Sequence, residues 1–158
     1  MRILIDADSF PREAREMALR FSGRLGIQAV FAANRPIPGL PASAVMELCP
    51  PGEGAADDRI VALAQSGDLV LTRDLPLAER LVEAGVSVLD DRGRVFTKEN
   101  IRELRSIRDF VVNLSDNGLG MERIAAYGKK ELADFANSLD RELTRLNPPL
   151  QGKAAESV

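Results

Sequence analysis

Five aspartates carry most of the chemistry in this sequence: Asp6 and Asp8 near its start, the adjacent Asp57 and Asp58, and Asp74. Close carboxylates repel, and each raises the pKa of the next unless a cation or a proton intervenes. A hard divalent ion is the natural partner of such a set. Oxygen-only ligands favour Mg2+ or Mn2+ over zinc, with one or two protein carboxylates and several retained waters. The ordinary explanation is helix capping: Asp8, Asp57 and Asp74 lie near expected helix starts, where an acid gains about 0.3–1 kcal/mol. Capping does not account for Asp6, which ends a strand, and the Asp57–Asp58 pair is more acid than one cap needs. Histidine is absent, which removes the usual general base and the histidine-dependent triads.

The elements that must position these residues follow from the hydrophobic pattern. RILID at 2–6 is a short branched apolar run without helical period, hence a strand. From Pro11, Ala14, Met17, Ala18 and Phe21 keep helical spacing, and Gly23 supplies a stop. IQAVFA (27–32) and AVMELC (44–49) read as strands joined by a proline-rich loop. A helix over 55–65 follows the Pro50, Pro51, Gly52, Gly54 cluster, and DLVLT (68–72) is a fourth strand. Asp74 caps a helix over 75–84, Gly85 ends it, and VSVL (86–89) is a fifth strand. Asp91, Arg92 and Gly93 form a turn, and Thr97 caps a helix with Ile101, Leu104, Ile107 and Val111 on one face. After a break around Asn117, Gly118 and Gly120, a last helix carries Leu132, Phe135, Leu139 and Leu143.

This alternation predicts an α/β domain with a mostly parallel sheet, helices on both faces and further helices at the C-terminal end. One domain over 1–146 is expected, and a disordered tail over 147–158 where Pro, Gly, Ala and Ser dominate. In such sheets the functional crevice lies outside the carboxyl ends of the strands. Asp6 ends strand one, Thr72 and Asp74 follow strand four, and Asp57 and Asp58 open the helix after strand three.

The lone Cys49 provides neither a disulfide framework nor a zinc site, and no stretch reaches the roughly 18 apolar residues of a membrane span. A cytoplasmic protein without membrane association is expected. The net charge of -3 draws it to neither nucleic acid nor anionic lipid, so recognition must be local.

Together IDAD with Pro11, FAAN (31–34), AADDRIV (55–61), DLVLTRDLPLAERLVEAG (68–85), VLDDRGRVFTKENI (88–101) and FANSLDREL (135–143) resemble the YaiI/YqxD family of bacterial proteins. That family lacks an established reaction, and its fold is similar to PIN and NYN ribonuclease domains. The resemblance covers nearly the whole chain apart from its tail. It carries the acidic positions onto Asp6, Asp8, Asp57, Asp58 and Asp74, with Asn34 and Thr72 as polar companions. One departure is visible. The family's usual Asp-Ala-Asp-Ala-Cys-Pro becomes Asp-Ala-Asp-Ser-Phe-Pro here, with Ser9 and Phe10, and any chemistry of that cysteine would be lost.

What the resemblance implies is a divalent-metal-dependent phosphodiesterase acting on nucleic acid, single-stranded RNA foremost. Asp6 and Asp74 would hold the ion, Asp8 and one of Asp57 or Asp58 would orient water or a second ion, and Thr72 or Asn34 would contact phosphate. Arg73, with Arg35, Arg80 and Arg92, is placed to flank the substrate. The Arg102, Arg105, Arg108 stripe reads as a solvated face paired with acids such as Glu103 and Asp109. With no tryptophan and one tyrosine, a platform stacking several bases is not expected. Asp-x-Asp after strand one also opens phosphatases of the haloacid dehalogenase type, with Asp6 as nucleophile and Asp8 as acid/base. Against that stand the absence of lysine between Thr72 and Asp91 and the helix starting at Pro11. A third reading is a non-catalytic module that keeps the acidic pocket and binds metal or nucleic acid without turnover.

Overall fold

The computed structural model describes residues 1–116 and 126–148. Its elements run β1 (Arg2–Asp6), α1 (Arg12–Leu25), β2 (Gln28–Ala33), β3 (Val45–Leu48), α2 (Ala55–Leu63), β4 (Leu69–Leu71), α3 (Leu75–Glu83), β5 (Ser87–Leu89), β6 (Val95–Phe96), α4 (Lys98–Asp116) and α5 (Lys129–Leu146). They form one sheet in the order β3-β2-β1-β4-β5-β6. Every pairing is parallel except β5 with β6. The chain therefore leaves β1 toward one edge and β4 toward the other, which opens a crevice between their carboxyl ends.

Side-chain alternation divides the core into two layers. Ile3, Ile5, Ala29, Phe31, Leu69 and Leu71 pack with Ala14, Ala18 and Phe21 of α1 and Phe135, Leu139 and Leu143 of α5. Leu4, Val30 and Val70, one residue out of phase, pack with Ile60 of α2, Leu77 and Leu81 of α3 and Ile101 of α4. Strands covered on both faces become continuous apolar runs, as ILI and LVL are here. Among the described residues no helix is long and apolar enough to cross a membrane.

Three expectations need correction. The first helix passes Gly23, since one helical glycine costs only about 1 kcal/mol relative to alanine. It stops at Gly26, whose φ of 66° is the left-handed conformation that terminates helices. The segment after Gly93 holds a strand, β6, not only a turn. Asp90 Oδ1 accepts the backbone N–H groups of Arg92 and Arg94, which folds the chain back antiparallel. Third, Ile107 is half exposed although Ile101 on the same expected stripe is buried, so the apolar face of α4 outruns the body it covers. The break at 117–120 and the tail from 149 lie outside the described residues.

Gly93 links the β5–β6 turn to α5. Its φ is 88°, a Cβ there would stand 2.6 Å from the Asp134 carbonyl oxygen, and Ser138 Oγ donates to its carbonyl at 2.7 Å. Gly93→Ala is expected to lose about 2 kcal/mol or more, since left-handed backbone alone costs an alanine roughly 1–2 kcal/mol. Urea unfolding measures this, and a change below about 0.5 kcal/mol would mean that the turn and α5 do not touch.

Candidate functional site

Register sets the first half of the site. Ile5 pairs with Leu71, so Asp6 and Thr72 come level at the carboxyl ends of β1 and β4. Asp6 has the parity of Leu4 and Thr72 that of Val70, which turns both toward the α2–α3 side of the sheet. Thr72 Oγ1 donates to Asp6 Oδ2 at 2.7 Å, and Ser9 Oγ donates to the same oxygen at 2.8 Å. These hydroxyls accept in turn, Thr72 Oγ1 from the backbone N–H of Asp74 and Ser9 Oγ from that of Arg73. The β1–α1 turn is thereby tied to the β4–α3 turn.

Asp74 is the N-cap of α3, its Oδ1 accepting the Leu77 N–H at 3.0 Å. Asp74 and Asp6 thus share a pattern. Each has one oxygen engaged by the fold, and among the described residues the other, Asp74 Oδ2 or Asp6 Oδ1, receives no hydrogen bond and is not occluded. Both line a cavity of about 250 Å3 with Asp8, Ser9, Asn34, Glu53, Asp57 and the Gly52–Gly54 loop.

The remaining expected residues divide. Asp8 is exposed and does not cap α1, whose N-cap is Pro11; its Oδ2 accepts the Asn34 N–H at 3.1 Å, which ties the β1–α1 turn to the end of β2. Asp57, in the first turn of α2, faces the cavity. Asp58 is one residue on, about 100° around the helix. It lies outside the cavity, 72% exposed and paired with Arg80 at 3.0 Å. Arg73 also lies outside the lining, its Nε 3.5 Å from the Oδ2 of Asp91, a side chain only 4% exposed. Of the α4 stripe, Arg105 pairs with Glu79 of α3 at 2.6 Å rather than with acids of its own helix.

Sequence reasoning overlooked two contributors. Ser9 stood out only as a departure from the family pattern, yet it donates to Asp6. Glu53 sits in the Pro/Gly loop, where no periodicity indicates a facing direction. Phe10, the other departure, is buried and meets the Phe135 ring edge-on with centroids 5.5 Å apart.

Electrostatics matches the crowding of carboxylates. Burial, followed by the charges of Asp74 and Asp6, raises Asp57 from its ordinary 3.8 to about 6, against a smaller lowering by Arg80. Asp6 is also raised, chiefly by burial, with Asp74 and Asp8 adding to the shift while the Thr72 and Ser9 bonds offset part of it. A carboxyl raised on folding binds more protons folded than unfolded, so its ionisation opposes folding as pH rises from about 4 to about 6. Asp57→Asn is therefore expected to gain stability relative to the parent as pH rises from ~3, below both pKa values, to ~7. Denaturant melts of both proteins at the two pH values test this; an unchanged gap would contradict it.

Among the described residues, no three His, Cys, Asp or Glu side chains are grouped to cage a metal ion. The donors instead fit a hard, water-rich ion that takes one or two carboxylates, which the unbonded oxygens of Asp6 and Asp74 provide.

Comparison with known proteins identifies the family. The model of an uncharacterised family, YaiI/YqxD, matches residues 4–145. A UPF0178 protein of Treponema pallidum is 46% identical over 147 residues, covering 92% of this chain and 83% of the relative. UPF0178 proteins of Treponema denticola and Myxococcus xanthus are each 43% identical, covering 92% of this chain and 93% and 96% of their own lengths. No solved structure matches the chain. With the family model spanning nearly all of the sequence, the chain belongs to the YaiI/YqxD family.

Proposed function

We propose that the acidic cavity is the centre of a divalent-metal-dependent phosphodiesterase acting on single-stranded RNA. The observation that carries this reading is the paired arrangement of Asp6 and Asp74. Each is anchored through one oxygen and open through the other, on adjacent strand ends at the switch point of the sheet. Carboxylates serving only as caps or hydrogen-bond acceptors would not need to converge on a cavity where they raise one another's pKa. The PIN-like character of the fold supports the same reaction class by analogy.

Asp6 and Asp74 would hold Mg2+ or Mn2+, whose chemistry when bound is to lower the pKa of water and offset charge on phosphate. Thr72 and Ser9 fix the Asp6 carboxylate in one orientation, so no reorganisation is needed when substrate arrives. Asp57 faces the same cavity and would be the carboxylate placed to take a proton from an attacking water. Asp8 and the Asn34 backbone form the opposite wall and limit the approach of the phosphate. Arg73, more than a third exposed and next to the Thr72 anchor, would reach a phosphate oxygen by turning away from Asp91. Asp58, engaged with Arg80 at the surface outside the cavity, takes no part in the reaction.

The test is hydrolysis. Purified protein with millimolar Mn2+ is expected to cleave single-stranded RNA and to leave p-nitrophenyl phosphate largely intact, because a phosphoaspartate route needs a lysine this chain does not place there. Robust monoester turnover with a trappable acyl phosphate on Asp6 would replace this reading by the phosphatase one. Metal binding without cleavage of any RNA or DNA would replace it by a binding module.

A further inference from the structure

The acidic cavity alone cannot hold a nucleic acid, because its walls carry the same sign of charge as the phosphates. The two segments that form one wall, the β1–α1 turn and the β2–β3 loop, continue into a second cavity of about 480 Å3. Its lining includes Arg12, Arg15, Glu16, Leu19, Ile37 and Leu40, with one basic side chain more than acidic. Asp8 and Asn34 belong to the first cavity, while Arg12 and Ile37, three or four residues further along the same segments, belong to the second.

The second cavity has the opposite character. Leu19, Ile37 and Leu40 are partly buried apolar side chains against the α1 layer of the core. Arg15 lies against them with its Nη1 donating to the carbonyls of Ala7 and Phe10, which fixes a positive charge directly behind the Asp6–Asp8 segment. Arg12 stands at the mouth, 79% exposed, in an exposed ion pair with Glu16. Exposed pairs of this kind contribute little and exchange readily. A larger cavity between α3 and α4, about 560 Å3, has Glu79, Glu83 and Glu99 against Lys98 and Arg102, a net negative lining that disfavours polyanions.

We infer that the groove between α1 and the β2–β3 loop, across the β1–α1 turn from the acidic cavity, is a subsite for a nucleoside flanking the scissile phosphate of a single-stranded RNA. An apolar floor with guanidinium groups at its edge suits a base and its phosphate, since arginine stacks on bases and pairs with phosphate oxygens. The inference rests on the phosphodiesterase reading for its substrate class, and it assigns recognition to residues outside the acidic cavity.

The experiment measures binding of a fluorescein-labelled oligouridylate hexamer carrying 4-thiouridine to the full chain in EDTA, by anisotropy and by photocrosslink mapping. Arg12→Glu and Ile37→Glu are expected to weaken binding about 10-fold or more, the range of one base contact, and Arg24→Glu at the far end of α1 less than about 2-fold. Crosslinks are expected within 12–19 or 37–40. Arg12 is a surface residue, so its variant remains informative if Ile37→Glu does not fold. No binding by the parent, unchanged affinity in Arg12→Glu, or crosslinks confined elsewhere would overturn the subsite even if Mn2+-dependent cleavage occurs. Crosslinks in the groove without cleavage under any metal would uphold the subsite and remove the phosphodiesterase reading.

Discussion

Phe135→Ala is expected to destabilise the protein by about 3–5 kcal/mol, the range found when a large aromatic is removed from a packed core. Phe135 is fully buried, and it belongs to the core layer that α5 shares with α1 and the sheet. Its ring and that of Phe10 meet in a T-shaped arrangement with centroids 5.5 Å apart, worth roughly 0.5–1.5 kcal/mol beyond area burial. The effect should also reach the acidic cavity, because Phe10 follows Ser9 directly and Ser9 orients Asp6. Guanidinium unfolding measures the loss. A change below about 1 kcal/mol would mean that α5 is not docked on this face, and the layer containing Phe10 would need to be redrawn.

Asp6→Asn is expected to reduce Mn2+-dependent RNA cleavage roughly a hundredfold or more while leaving the melting temperature equal or higher. The two expectations have one origin. The buried carboxylate is held at a raised pKa by desolvation and by the charges of Asp74 and Asp8, so neutralising it relieves the folded state. Asparagine keeps one carbonyl oxygen to accept the Thr72 and Ser9 hydroxyls. Asp6→Ala removes that acceptor and strands the buried Thr72 hydroxyl, so it should cost about 1–3 kcal/mol in addition to activity. A large stability loss in Asp6→Asn would instead identify Asp6 as a structural acceptor whose ionised form the fold requires.

The sheet was legible because its central strands are buried on both faces: ILI and LVL are bounded apolar runs, β1 spans 2–6 as expected, and β4 is shorter than expected by one residue at each end. Asp6, Thr72 and Asp74 were legible for a related reason. Strand ends at the switch point can be read once the alternation of strand and helix is recognised. The direction of a side chain at a helix start was not legible. Asp57 and Asp58 look alike in sequence, and their division between cavity and surface depends on where α2 begins and on Arg80 from another helix. Arg73 was read as a substrate contact from its position, and its pairing with Asp91 depends on β5 lying beside β4. The strand β6 was missed because two residues give no period, and its return is imposed by the carboxylate of Asp90.

The central claim is that the unbonded oxygens of Asp6 and Asp74 face a common divalent ion, and anomalous diffraction from crystals soaked in Mn2+ tests it most directly. The account predicts a manganese peak in the cavity bounded by Asp6, Asp8, Asp57 and Asp74, within coordinating distance of Asp6 Oδ1 or Asp74 Oδ2, with water completing the shell. The same soak of the Asp6→Asn, Asp74→Asn double variant should lose that peak. A manganese ion bound elsewhere, or no peak in the parent at millimolar Mn2+, would contradict the account.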